Sequence, residues 1–254
     1  MKKIVWIDLG THFAQEHSSI FGSNIIFYSF LFKRFVGGAL LRRGKFVSLK
    51  GLKNIIQSRS IIKKRGNEFY SIFVEANPKI AKKMNFYPDA DLFFNLALTN
   101  NFHDPLTITK LYLGDGADFS QGSSIFLEKH NVSKDSFIAT LGISVTYFFK
   151  EIKSYLNENF NDYVVLLRLN CEGIEDDAIY AAHESFGNKL KLICGSLKDV
   201  EGVKGQAASQ KLDKFLSDNQ LYFAKFYAPI YTWPEGHAAV IKLLEEIDQS
   251  TIDS

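Results

Sequence analysis

The chain has 254 residues, 46% of them apolar, which supports a sizeable buried core and excludes an intrinsically disordered protein. Two cysteines, Cys171 and Cys194, exclude a disulfide framework and match no zinc-ligand spacing. The net charge of +2 conceals an uneven distribution: from His17 to Asn67 there are eleven Lys and Arg and no Asp or Glu, while the other nineteen basic residues face all twenty-eight acidic ones.

The opening run "KKIVWIDL" predicts a first strand that ends at Asp8, Leu9 and Gly10. It carries no long apolar leader and no small-residue cleavage site, so no signal peptide is expected and the chain is read as cytoplasmic. The longest apolar run, Ile25 to Phe32, is too short to span a bilayer. Further strands are expected in "EFYSIFVEANP", ending at Glu75, and in "DLFFNLALT", "DYVVLLRLN" and "KLKLICG". The tail "LYFAKFYAPIYTW" reads as a late antiparallel strand pair.

Helices fill the gaps. "NPKIAKKM" has Asn77 as N-cap and Pro78 at the first helical position. Val145, Phe148, Phe149, Ile152 and Leu156 recur at helical spacing, as do Val240, Leu243, Leu244 and Ile247. Strands alternating with helices predict a doubly wound α/β fold, mostly parallel, in a single domain over 1–254. The basic, aromatic-rich stretch at about 21–67 is an insertion between the first and second strands.

Ligands of open α/β sheets bind beyond the carboxyl ends of the strands, so those ends are the places to look. Gly10 permits a tight turn and close approach of a ligand. Glu75 is positioned to accept hydrogen bonds from both hydroxyls of a ribose, or else to cap the helix that follows. Asn95 suits the edge of an adenine, or a bond to buried backbone. The loop from Gly114 to Ser124, rich in Gly, Asp and Ser, suits a ligand or a plain hairpin connection. The fourth strand ends in "NCEGIEDD". Glu175, Asp176 and Asp177 are expected to serve the first helical turn and solvent, whereas Asn170 and Glu172 are expected to face a reaction.

In order, "IDLGTHFAQE", "FVEANPKIAKK", "NLALTN", "GADFSQGSSI" and "LLRLNCEGIED" resemble the FkbM family of S-adenosylmethionine-dependent methyltransferases. That family carries a D-x-G-x-N-x-G turn, an E-P-N-P strand end, an N-x-A-L segment, a G-S-S loop and a K-x-D-x-E-G-x-E strand end. The likeness covers about five short blocks between residue 4 and about 180. It implies a class I Rossmann-like methyltransferase that uses S-adenosylmethionine, typically on hydroxyls of sugars or natural products. It further implies that Asp8, Gly10, Thr11, His12, Phe13, Glu75, Ala76, Asn95, Ala97, Ser123 and Asn170 hold the cofactor. Glu172, Asn170 and His12 are the candidates for catalysis.

The chain departs from the family at His12, which replaces Asn, at Ala14, which replaces Gly, and at Ala76, which replaces Pro. Asn170 stands where the family has Asp, and an amide cannot take a proton, so no metal is expected. A non-catalytic nucleotide-binding or interaction protein is the alternative. A nicotinamide dehydrogenase is disfavoured because no G-x-G-x-x-G turn is present. The basic insertion fits three roles: a lid over a phosphorylated or nucleotide-linked substrate, a contact with an anionic membrane surface, or a structural or homo-oligomer contact. Nucleic acid is not an expected partner, because the rest of the chain is acidic.

Overall fold

The computed structural model describes residues 2–41, 47–82, 90–101, 104–115 and 122–252, with the side chains of 33–41 and 251–252 outside that description. Several expected features fall outside the described residues: the middle of the loop between Gly114 and Ser124, the end of the "NPKIAKKM" helix, and the basic residues Arg42, Arg43 and Lys45.

The chain begins with β1 (Lys3–Leu9), followed by α1 (Gln15–Ile20), α2 (Asn24–Leu41) and α3 (Leu49–Lys64). Next come β2 (Phe69–Val74), α4 (Pro78–Ala81), β3 (Leu92–Phe94), β4 (Ala97–Thr99), β5 (Leu106–Gly114) and β6 (Val132–Ser144). After α5 (Val145–Asn159) the chain runs through β7 (Tyr163–Leu169), α6 (Glu175–Phe186) and β8 (Leu190–Gly195). It closes with α7 (Lys198–Lys204), α8 (Gln206–Asp218), β9 (Phe223–Lys225) and α9 (Trp233–Ile252).

The main sheet has the order β3-β2-β1-β7-β8-β9, and every pairing in it is parallel. Alternating residues sort its two faces, as the period of two requires. Val5, Ile7 and Leu9 of β1, with Val165, Leu167 and Leu169 of β7, pack beneath α5, α6 and α8. Ile4 and Trp6, with Val164 and Leu166, pack against α1, α2, α3 and α9. This is the doubly wound Rossmann-like arrangement, and the near-continuous apolar strands follow from burial on both faces. The two helical stripes read from sequence, on α5 and on α9, are buried as their spacing requires. Asn77 caps α4 by accepting the Lys79 N–H at 3.0 Å.

Three features differ from expectation. "DLFFNLALT" is not one strand: β3 belongs to the main sheet and β4 to a small mixed sheet of order β4-β6-β5. Asn95 lies at the break, its side-chain amide donating to Glu75 O at 2.7 Å. The antiparallel pair lies between β5 and β6, in mid-chain, and not at the C-terminus. The tail supplies only β9, parallel to β8. Beyond it, Pro229 lacks an N–H, and Thr232 Oγ1 accepts the Tyr227 N–H at 3.1 Å, so the segment closes into a turn that leads to α9. Among the described residues, no helix is long and apolar enough to cross a membrane.

Candidate functional site

The strand order reverses between β1 and β7, and the crevice outside that switch point is where an open α/β sheet accepts a ligand. A cavity of about 440 Å³ lies there. Its size falls within the ~300–1,000 Å³ of small-molecule sites. Gly10 and His12 line it from the end of β1, Glu75 and Ala76 from the end of β2, and Asn170 and Glu172 from the end of β7. The small sheet closes one side with Ala97, Leu98 and Leu111, and the loop after β9 adds Tyr227.

Glu75 is 6% exposed and bridges two chain segments. One carboxylate oxygen accepts the His12 N–H at 2.8 Å and the other accepts the Asn77 N–H at 2.8 Å. Burial pushes this carboxyl up to about 7, against the pull of those two N–H groups. A carboxylate offers about four acceptor positions, so about two remain for a ligand. Gly10 adopts φ +69°, and a Cβ built there would lie 2.1 Å from the backbone oxygen of Asn170. The close crossing of the β1 and β7 tips therefore demands glycine whether or not a ligand is bound.

Four described non-glycine residues have positive φ: His12 (52°), Ala14 (49°), Glu172 (65°) and Gln220 (54°). Three of them sit at the tips of β1 and β7. Such conformations persist only where the surroundings enforce them, and they cluster at functional sites. At the β7 tip the enforcing group is Glu175. Its carboxylate accepts the N–H groups of Cys171 (2.9 Å), Glu172 (2.8 Å) and Gly173 (2.8 Å). Glu175 is fully buried, and burial pushes it up to about 7. The expectation that it serves solvent is thus corrected. Asp176 and Asp177 pair with Lys204 at 2.5 and 2.7 Å.

Glu172 is ion-paired with Lys129, whose side chain is only 4% exposed and also hydrogen-bonds Gly122 O at 3.1 Å. Burial lowers the Lys129 ammonium, partly offset by Asp199. Ser124 Oγ donates to Glu172 O at 2.7 Å, which ties the loop after β5 to the β7 tip. Ser123 lines the cavity, and its Oγ accepts the Gly114 N–H at 3.1 Å.

Of the expected site residues, Gly10, His12, Glu75, Ala76, Ala97, Ser123, Asn170 and Glu172 border the cavity. Asp8, Thr11, Phe13 and Asn95 do not appear in its lining among the described residues. Asp8 is fully buried and pairs with Arg168 at 3.0 Å. Thr11 Oγ1 donates to Asp8 O at 2.8 Å. Phe13 packs its ring at 4.0 Å from the His12 ring. Asn95 holds the Glu75 backbone.

Sequence reading missed Arg168, Lys129 and Tyr227, which also line the cavity. Arg168 carries a signal, since a charge interrupting "VVLLRL" needs a buried partner. Lys129 carries none, because its partner Glu172 is 43 residues away. Among the described residues, no group of three or more His, Cys, Asp or Glu is arranged to hold a metal ion. Comparison of the chain with protein-family models, with curated proteins and with solved structures finds no match.

Proposed function

We propose that this protein is an S-adenosylmethionine-dependent methyltransferase acting on the oxygen of a sugar or glycan precursor. The observation that carries the reading is that Gly10 and the Glu75 carboxylate border one cavity at the switch point of a doubly wound sheet. The donor set fits the cofactor: Glu75 is fixed by two backbone N–H groups with acceptor positions to spare for ribose hydroxyls, and Asn170 lies across the crevice. Bound, S-adenosylmethionine supplies a methyl already activated on sulfur.

The chain's own work is then to hold an acceptor hydroxyl in line and to receive its proton. Glu172 and His12 are the groups on the lining suited to receive it, and Asn170 can orient the hydroxyl through its amide. Lys129 fixes the Glu172 side chain through their ion pair.

Calorimetry with S-adenosylmethionine and its demethylated product tests the reading. Affinity for both is expected, with loss in Glu75→Ala and in the less disruptive Glu75→Gln. Glu172→Gln is expected to keep cofactor affinity and lower methyl transfer to the correct glycan by about 10²–10⁴-fold. A second reading draws on one observation: Glu172 is engaged by Lys129 and position 170 is an amide, which suits a nucleotide-binding domain without catalysis. Cofactor binding with no transfer to any of a panel of glycans supports that reading.

A further inference from the structure

Among the described residues of the insertion, none lines the cavity. Instead, α2 and α3 pack on the same sheet face as α9. Phe27 and Leu31 anchor the start of α2 in the core, and Arg59 of α3 donates to Asn24 Oδ1 at 2.9 Å. Turned away from that anchor, Ile25, Tyr28 and Phe32 fall at i, i+3 and i+7 and form an outward stripe. They are 84%, 53% and 71% exposed. A soluble helix normally turns such a stripe inward.

On α3, Ile55, Arg59 and Ile62 face the core, and Lys50, Lys53 and Lys64 are exposed. The whole stretch from His17 to Asn67 contains no carboxylate side chain. Large apolar side chains beside a segment whose own charges are all positive are the two ingredients of interfacial attachment to anionic lipid. The geometry points to an anionic membrane surface as the partner of this face, with the α2 stripe entering the headgroup layer and the α3 lysines meeting lipid charge. The inference is independent of the methyltransferase reading.

Co-sedimentation of the full chain with phosphatidylcholine vesicles, with and without phosphatidylserine, tests it. Binding is expected only to vesicles with phosphatidylserine, and raising the salt concentration weakens it. The double variant Ile25→Asp, Phe32→Asp is expected to lower partition by roughly tenfold or more. The variant Lys50→Glu, Lys53→Glu is expected to lower it without relying on the stripe. Both pairs are on the exposed surface, and an unchanged circular dichroism melt confirms that they fold.

Three results overturn the proposal: no binding to phosphatidylserine vesicles, equal binding by both folded variants, or a stripe covered by a second copy, seen as a dimer in light scattering that the Ile25→Asp, Phe32→Asp variant abolishes. Tighter binding to a duplex or single-stranded oligonucleotide, displacing vesicles, assigns the face to nucleic acid and overturns it too.

Discussion

Asp8 and Arg168 stand opposite each other in the register of β1 and β7, and their side chains pair at 3.0 Å in the interior. Arg168 also reaches Glu16 at 2.9 Å and Gly10 O at 3.0 Å. Burial alone depresses the guanidinium, but the two carboxylates more than offset it and hold it above its ordinary value. Burial raises Asp8, against Arg168. One cation thus joins the end of β1, the start of α1 and the floor of the cavity.

Arg168→Met removes the cation that the buried Asp8 and Glu16 carboxylates share. Loss of one partner from a buried pair costs about 3–5 kcal/mol. That drop is expected in urea denaturation at neutral pH, with Asp8→Asn in the same background recovering part of it.

Positions 10 and 14 make a contrasting pair. Gly10→Ala adds a methyl 2.1 Å from Asn170 O at φ +69°, so a loss of at least about 2 kcal/mol is expected. Ala14 already occupies φ +49°, and Ala14→Gly relieves that strain, with a gain of up to about 1 kcal/mol. Thermal melts of the two variants are expected to shift in opposite directions.

The carboxyl of Glu75, raised by burial to about 7, is ionised above that pH and protonated below it. Ribose hydroxyls are best accepted by the ionised form. Affinity for S-adenosylmethionine is expected to fall by up to about tenfold as pH drops from about 8 to about 6. In Glu75→Gln the residual affinity is expected to lose this dependence, as calorimetry at the two pH values would show.

His17 and His237 are buried neutral, their rings pushed down to about 3 by burial and their Nε2 atoms bonded to Ser71 and Ser19 at 3.0 and 2.9 Å. Each takes up a proton on unfolding before it does so when folded. Their stabilisation is therefore complete above about 6.5 and is lost as pH falls towards 3. Glu75 and Glu175 act in the opposite sense between their ordinary value of 4.5 and about 7, so the histidines stand apart from them below 4.5. In that lower range, His17→Gln is expected to flatten the fall in stability by about 1.4 kcal/mol per pH unit.

The parallel strands were legible because β1, β2, β7 and β8 are buried on both faces and read as unbroken apolar runs. Their tips located the cavity-lining Gly10, Glu75, Asn170 and Glu172. β6 was not legible, since nine of its thirteen residues are exposed or half-buried and its run "VSKDSFIATLGIS" is polar. At the split between β3 and β4 the Asn95 amide meets Glu75 O, a contact between strands that local pattern does not encode. The roles of Asp8 and Asn95 diverged for the same reason: each is occupied by a partner distant in the chain.

The three amides at the β7 tip would, in another protein, form a cradle for a ligand phosphate. Here the cradle comes filled by the chain's own Glu175. A phosphorylated guest would therefore have to find its grip elsewhere.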